Sequence, residues 1–303
     1  MSIIEHLETI QTNKHRYIDF GQKYEAIEEY LSYYNLPKEF DYQSGYITSE
    51  HEHLYLQRFT PQFSKYKVLL MHGYLDHSGC LNKLIKFLLV QNIEIYTYDI
   101  VGHGLSTGEK ADVKSFQLYS KHMMDVLDII GDKVNVVAHS TGGAAVMNFI
   151  LTNKGNEVEK VVLLAPLVRS ANWLPTLIGK GLISPYFSKV NRTFQRNSSD
   201  EVFLKFVKED PLQARALPFS WVNSLQSWQK NFESYSPNNR EITVIQGLED
   251  RTVDHYYNVK AIQSKFPKSK IILIENARHQ LLNEQFVIRQ MVFKHILDEL
   301  YTS

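Results

Sequence analysis

Across most of the chain, short apolar runs alternate with longer stretches in which apolar residues recur every three or four positions. The runs at 68–71, 93–100, 134–138, 158–164, 242–245 and 271–274 are rich in Val, Ile and Leu and too short for stable helices, so they predict buried strands. Between them, Phe116, Met123, Val126, Leu127 and Ile130 fall on one helical face, with Asp125 and Asp128 outside it and Gly131 as a terminator. Further helices are expected over 144–151, 256–265 and 281–301, the last starting directly after Gln280. Strand and helix in this alternation predict an α/β fold, a mostly parallel sheet with helices on both faces.

Three segments depart from the rhythm. Residues 1–41 are polar and aromatic, with Tyr24, Ile27, Tyr30 and Leu31 at helical spacing, and predict an amphipathic N-terminal extension whose helix ends near Pro37. From 42 to 59 the alternation around Tyr46, Thr48, Leu54, Leu56 and Arg58 predicts a hairpin. Residues 167–239 carry helical apolar patches but no convincing buried strand, and their length exceeds what a connection needs. They are expected to form an inserted helical cap dividing a core made of 42–166 and 240–303. All three tryptophans, Trp173, Trp221 and Trp228, lie in that insertion, as does Leu177. These side chains suit either a pocket for a greasy substrate or the cap's own core.

Composition narrows the chemistry. The 303 residues suit two domains or one large α/β unit with an insertion. Lys+Arg and Asp+Glu stand at 33 each, so no global basic field recruits nucleic acid. The single cysteine, Cys80, permits no intrachain disulfide and no zinc-ribbon site, which suits a reducing compartment. The first residues carry acid where a secretion signal needs basic residues, and no window approaches the ~18 consecutive apolar residues of a membrane span. A soluble, cytoplasmic protein is expected. The tryptophans and the Leu/Ile clusters of the cap add the expectation of transient contact with a membrane surface.

The strand at 134–138 runs into His139-Ser140-Thr141-Gly142-Gly143 and then into a helix-compatible stretch. A sharp strand-to-helix turn of this kind strains the serine backbone, exposes Oγ above the sheet and leaves no room for bulky neighbours. A serine hydroxyl needs an imidazole to take its proton and an acid to hold that imidazole, here expected in the chain order serine, acid, histidine. After 242–245 comes Gln246-Gly247-Leu248-Glu249-Asp250-Arg251-Thr252-Val253-Asp254, where Asp250 is the favoured acid. Glu249 and Asp254 compete with it, the latter also placed to cap the next helix. After 271–274 comes Glu275-Asn276-Ala277-Arg278-His279, and His279 is the favoured base over His295, which sits within the following helix. The oxyanion donors are expected to be the backbone N–H of Thr141 and that of Tyr74, which follows His72 and Gly73. Gly73 would let the backbone turn toward the substrate, His72 would brace the loop, and His139 and Gly142 would support the elbow.

These motifs together resemble the monoglyceride lipase and bacterial lysophospholipase branch of the α/β-hydrolases. The resemblance covers roughly 42–300. Beyond the triad it rests on His72-Gly73 with Asp76-His77-Ser78-Gly79, on Tyr98-Asp99-Ile100-Val101-Gly102-His103-Gly104-Leu105-Ser106-Thr107-Gly108-Glu109, on Asp210-Pro211-Leu212, and on Ala277-Arg278-His279-Gln280-Leu281-Leu282-Asn283-Glu284. Ala138 stands where the pattern usually has glycine, and Val101 replaces a polar residue or proline; neither change removes a catalytic atom. The resemblance implies an α/β-hydrolase fold and a serine hydrolase of acyl esters of glycerol or glycerophospholipids, with a helical lid and no cofactor.

Other readings fit less well. Gly102-His103-Gly104 with Gly108 places its last glycine one residue late for a dinucleotide loop. His51-Glu52-His53 lacks a third ligand at evident spacing and falls at a hairpin tip, so no metal is expected. Two other uses of the scaffold remain: a carboxylesterase or acyltransferase for short soluble acyl esters, and a catalytically silent binding protein. The intact Ser140, Asp250 and His279 set argues against the second.

Overall fold

The computed structural model describes residues 1–14, 24–153 and 155–301, so residues 15–23 of the expected 1–41 extension and the last two residues of the core lie outside the described residues. The chain opens with α1 (Ile3–Asn13), where Ser2 Oγ accepts the Glu5 N–H and the Glu5 carboxylate accepts the Ser2 N–H in a capping box. Next comes α2 (Glu25–Tyr33), whose Tyr30 and Leu31 are buried as its spacing predicts. The first of these helices was not anticipated. The hairpin β1 (Asp41–Ser49) and β2 (Glu52–Thr60) then pairs in register from Asp41–Thr60 to Ser49–Glu52.

Alternation follows with β3 (Tyr66–Met71), α3 (Asn82–Leu89), β4 (Ile93–Tyr98), α4 (Gln117–Ile130), β5 (Val134–His139), α5 (Thr141–Thr152) and β6 (Val158–Leu164). Between β6 and the next core strand lie α6 (Trp173–Ile183), β7 (Lys189–Asn191), α7 (Glu201–Glu209), β8 (Ala216–Pro218) and α8 (Phe219–Ser234). The chain closes with β9 (Thr243–Gly247), α9 (His255–Lys265), β10 (Lys270–Ile274) and α10 (Phe286–Tyr301). Eight strands form one sheet in the order β1-β2-β4-β3-β5-β6-β9-β10, parallel from β4 to β10. This is the α/β-hydrolase fold.

Period-two alternation along each strand splits the core between the two faces of the sheet. Leu69, Met71, Val136 and Ala138 pack with α4, α5 and α8, while Val68, Leu70 and Val137 pack with α1, α2, α3 and α10. The order of the strands positions the site. The chain goes from β3 to β4 on one side and returns to β5 on the other, so the loops leaving β3 and β5 part at the carboxyl edge of the sheet, where such folds bind ligands.

Two sequence expectations need correction. The helix expected over 281–301 begins only at Phe286, after a 3₁₀ turn at Leu281–Asn283. The buried Glu284 carboxylate accepts the Arg278 and Ser199 N–H groups at 2.6 and 2.7 Å, and Asn283 Nδ2 donates to the Cys80 carbonyl at 3.1 Å. These bonds divert the chain before it enters the helix. The 167–239 insertion is not purely helical, because β7 and β8 form a two-stranded antiparallel ribbon. Strands of three residues are too short to leave a readable alternation.

Candidate active site

At the end of β5 the backbone of Ser140 takes φ 51° and ψ −111°, a region costly for a non-glycine residue, and α5 begins at Thr141. Close packing dictates the small residues around it. A Cβ on Gly142 would lie 2.7 Å from the His72 carbonyl oxygen, and one on Gly143 would lie 3.1 Å from Pro166 Cβ. Gly73 is glycine for the same reason. A Cβ there would lie 3.0 Å from both Ser140 Cβ and His139 Nδ1, whereas the positive φ of this loop, 59°, belongs to Leu75. The expected conformational freedom of Gly73 is thus replaced by a need for space.

Three loops at the carboxyl edge bring Ser140, His279 and Asp250 together. The Ser140 hydroxyl lies 3.1 Å from His279 Nε2, oriented to donate to it, and His279 Nδ1–H donates to Asp250 Oδ2 at 2.7 Å. The other Asp250 oxygen accepts the N–H groups of Thr252 and Val253 at 2.8 and 3.2 Å. Burial pushes the Asp250 carboxyl up, but the adjacent His279 charge, its hydrogen bond and the two amides outweigh this and hold it below the ordinary carboxylate range. The competing acids go elsewhere. Asp254 caps α9 through the Tyr257 N–H and pairs with Arg169, and Glu249 is exposed near Arg278. His295 lies on α10.

The flanking histidines are held neutral. His139 Nε2–H donates to the His279 carbonyl at 3.0 Å, and burial followed by the neighbouring His279 pushes its pKa down to about 4. It ties the elbow to the histidine loop. His72 Nδ1–H donates to the Gly73 carbonyl at 2.8 Å while Nε2 accepts the Ile100 N–H at 2.9 Å. With both nitrogens engaged in one tautomer, and burial lowering its pKa, His72 joins the loops after β3 and β4 and has no free position for proton transfer. Thr141 opens α5, so its amide has no intrahelical acceptor. The Tyr74 amide, next to Gly73, makes no hydrogen bond among the described residues.

A cavity of about 820 Å³ opens over Ser140, Thr141, Tyr74 and His279. Of the four residues expected to bind substrate, Trp173 and Trp221 line it. Trp221 stacks on the Tyr74 ring with centroids 3.6 Å apart, joining α8 to the loop after β3. Leu177 and Trp228 do not line it, which corrects the expectation. Trp228 is buried against Phe116 and Phe232, its indole N–H donating to Asn148 Oδ1 at 3.1 Å, and Leu177 packs against the same core. Helical spacing left open which face of α8 meets the sheet layer.

A second buried polar cluster lies behind the loop after β3. His77 Nε2–H donates to Asp210 Oδ2 at 2.7 Å, and Asp210 Oδ1 accepts the Tyr34 hydroxyl and the Leu212 N–H at 2.8 and 3.0 Å. Burial raises the Asp210 carboxyl, yet His77 and these donors bring it down to about 2. Among the described residues, His77, Cys80 and Asp210 place donor atoms within 4.8 Å of one another, the spacing a metal ion would need. The His77 and Asp210 atoms in that set already bond each other, so the cluster works as a hydrogen-bonded junction of the extension, the β3 loop and the insertion.

Sequence reasoning missed Gln246, whose Nε2 donates to Asp250 Oδ2 at 3.1 Å. Its signal was its place at the end of β9, four residues before the acid. It also missed Arg192, which donates through Nη1 to the Leu75 carbonyl and to Gln213 Oε1 at the cavity wall. No local pattern marked that residue.

The model of the Hydrolase_4 family, described as serine aminopeptidase, S33, matches residues 62–286. Human monoglyceride lipase is 26% identical over 270 residues, covering 82% of this chain and 87% of the lipase. Among solved structures, a soluble variant of monoglyceride lipase from Saccharomyces cerevisiae in complex with a substrate analogue superposes with a TM-score of 0.72 at 18% identity, covering 85% of this chain and 95% of its own. The monoacylglycerol lipase of Paleococcus ferrophilus gives 0.66 at 20% identity, covering 81% and 97%.

Proposed function

The chain belongs to the Hydrolase_4 (serine aminopeptidase, S33) family and is a carboxylic ester hydrolase, and from that premise we propose that it cleaves acyl esters of glycerol-based lipids, a monoacylglycerol or a lysophospholipid, through an acyl-enzyme. The observation that carries this reading is the hydrogen-bonded chain from Asp250 through His279 to Ser140, opening into a cavity walled by Trp173, Phe219 and Trp221. In the proposed mechanism His279 Nε2 takes the Ser140 proton as Oγ attacks the ester carbonyl. The N–H groups of Tyr74 and Thr141 receive the developing oxyanion. Asp250 stabilises the imidazolium, which then protonates the departing alcohol. Water, deprotonated in turn by His279, releases the fatty acid. Gln246 and the Thr252 and Val253 amides keep Asp250 ionised and fixed.

The reading gives 167–239 the role of a lid over the cavity. On α6, Leu174, Ile178 and Leu182 recur at every fourth residue and are all strongly exposed, with Tyr186 and Phe187 beyond them. An apolar stripe of this kind supports reversible docking on a lipid surface. No helix among the described residues is long and apolar enough to cross a membrane. A fluorophosphonate probe followed by a hydrolysis panel tests the function. Labelling of Ser140, with turnover of long-chain glycerol esters above short p-nitrophenyl esters, is expected. Failure to label Ser140 in folded protein would refute the proposed acyl-enzyme, and preference for short esters would leave a carboxylesterase. Replacing Leu174, Ile178 and Leu182 by serine is expected to abolish co-sedimentation with vesicles; unchanged binding refutes the docking role.

A further inference from the structure

The cavity over Ser140 is electrically lopsided in a chain whose charges balance. Arg192, Arg196, Lys205, Lys208, Lys180 and Arg251 all contribute to its wall, against the single carboxylate of Glu201. Glu201 is already paired with Arg196, and Lys180 is engaged by Asn223 and Gln226. Lys205, Lys208 and Arg251 are exposed at the cavity wall and take part in no salt bridge among the described residues.

Arg192 is built in more firmly. Its Nη1 donates to the Leu75 carbonyl at 3.4 Å, to Gln213 Oε1 at 2.6 Å and to the Ala214 carbonyl at 3.3 Å, and its guanidinium lies 4.4 Å from the centroid of the Phe194 ring. The first of those bonds holds a half-buried cation against the carbonyl of Leu75, the residue that follows Tyr74, the expected oxyanion donor. Its Nε and Nη2 donate to no group among the described residues, leaving a guanidinium edge of the kind that reads phosphate. A neutral glycerol headgroup makes no use of this field, and the ammonium of a peptide's amino terminus would be repelled by it.

Resting on the lipid-ester reading above, we propose that the substrate carries an anionic phosphate on its alcohol side, as in a monoacylglycerol phosphate, with Arg192 and the cations of the 192–208 stretch receiving the phosphate while the apolar wall takes the acyl chain. Favouring an anionic leaving alcohol in this way costs the acylation step nothing, because the phosphate departs with the glycerol and the scissile bond remains the carboxylic ester.

The test compares 1-octanoylglycerol with 1-octanoylglycerol 3-phosphate, both held monomeric, on the wild-type chain and on Lys205→Gln/Lys208→Gln. The wild type is expected to favour the phosphate in kcat/KM by at least about tenfold, since each exposed cation contributes about two- to fivefold. The advantage should shrink on going from about 0.05 M to about 0.5 M NaCl as the charges are screened. The double variant should lose most of the advantage through KM, read as the ratio of the two esters on the same protein. Equal or better turnover of the neutral ester overturns this inference and leaves the lipid-ester reading standing. A charge effect seen only on anionic vesicles, with none on monomers, assigns the cations to a membrane surface and also overturns it. Turnover of neither ester by protein that labels at Ser140 removes the lipid-ester reading, and this inference with it.

Discussion

Asp210 offers a test of how the insertion is held over the site. Its carboxylate accepts His77 Nε2–H, the Tyr34 hydroxyl and the Leu212 N–H at 2.7, 2.8 and 3.0 Å, all in a fully buried setting. Replacing it with alanine strands these donors without water. Each buried, unpaired donor costs about 1–3 kcal/mol, partly relieved where the tyrosine hydroxyl rotates, and breaking a buried charge pair costs about 3–5 kcal/mol in all. The expected loss for Asp210→Ala at pH 7 is therefore about 4 kcal/mol, or a Tm lower by about 6 °C in a chain of this size.

Asp210→Asn keeps the shape and one acceptor oxygen but meets the remaining donors with its own N–H₂, so about 2 kcal/mol is expected. The charge adds a pH signature. A carboxyl brought down to about 2 in the folded chain, against an ordinary value near ~3.9, stabilises the fold by of order 2 kcal/mol above pH ~4. Because the folded pKa is the lower one, that stabilisation is complete above the unfolded value and drains away as pH falls toward 2. The gap between wild type and Asp210→Asn in urea unfolding should widen as pH falls from 7 to 5, because burial is outweighed by Asp210, which raises the His77 pKa, and only the wild type gains from protonating it. It should narrow by about 1 kcal/mol between pH 5 and pH 3 as the carboxylate takes its proton. A loss under about 1 kcal/mol for Asp210→Ala, or a gap that does not change with acid, would refute the assignment of this junction as a charged, load-sharing contact.

Asp250→Asn is expected to lower kcat by about 10⁴, because the amide no longer holds the His279 tautomer, while Asp254→Asn leaves kcat intact and costs under about 1 kcal/mol of stability, since asparagine caps α9 as aspartate does and only the half-exposed pair with Arg169 is lost; the reverse pattern in steady-state kinetics moves the acid to Asp254. Gly142→Ala puts a methyl 2.7 Å from the His72 carbonyl oxygen and should destabilise the fold by about 1–3 kcal/mol in thermal unfolding, with no change if α5 shifts freely away from β3. Trp228→Ala is expected to cost about 3–5 kcal/mol without raising KM, whereas Trp221→Ala should raise KM; a KM effect at Trp228 would place it back in the pocket.

What the sequence makes legible, and what it hides, divides along the distance over which each signal acts. The core strands announce themselves because a parallel strand buried on both faces must be apolar at every position, and β6, for example, begins and ends at the residues its run predicts. The elbow is legible for a similar reason, since the closeness of β3 to α5 leaves room for nothing larger than glycine at 142 and that requirement is written into adjacent residues. Chain order then points to loops for His279 and Asp250, which the structure brings within hydrogen-bonding distance of each other and of Ser140. The unread features depend on partners far along the chain. Trp228 turns inward because Asn148, 80 residues earlier, offers an acceptor for its indole N–H. The Tyr34–Asp210 bond spans 176 residues and the His77–Asp210 bond 133, so neither leaves a periodicity to detect. The charge of the cavity is hidden in the same way. A balanced total says nothing about which side chains the fold gathers, and the five cations of 180–208 join Arg251 in one field over the serine only when the insertion folds back over Ser140.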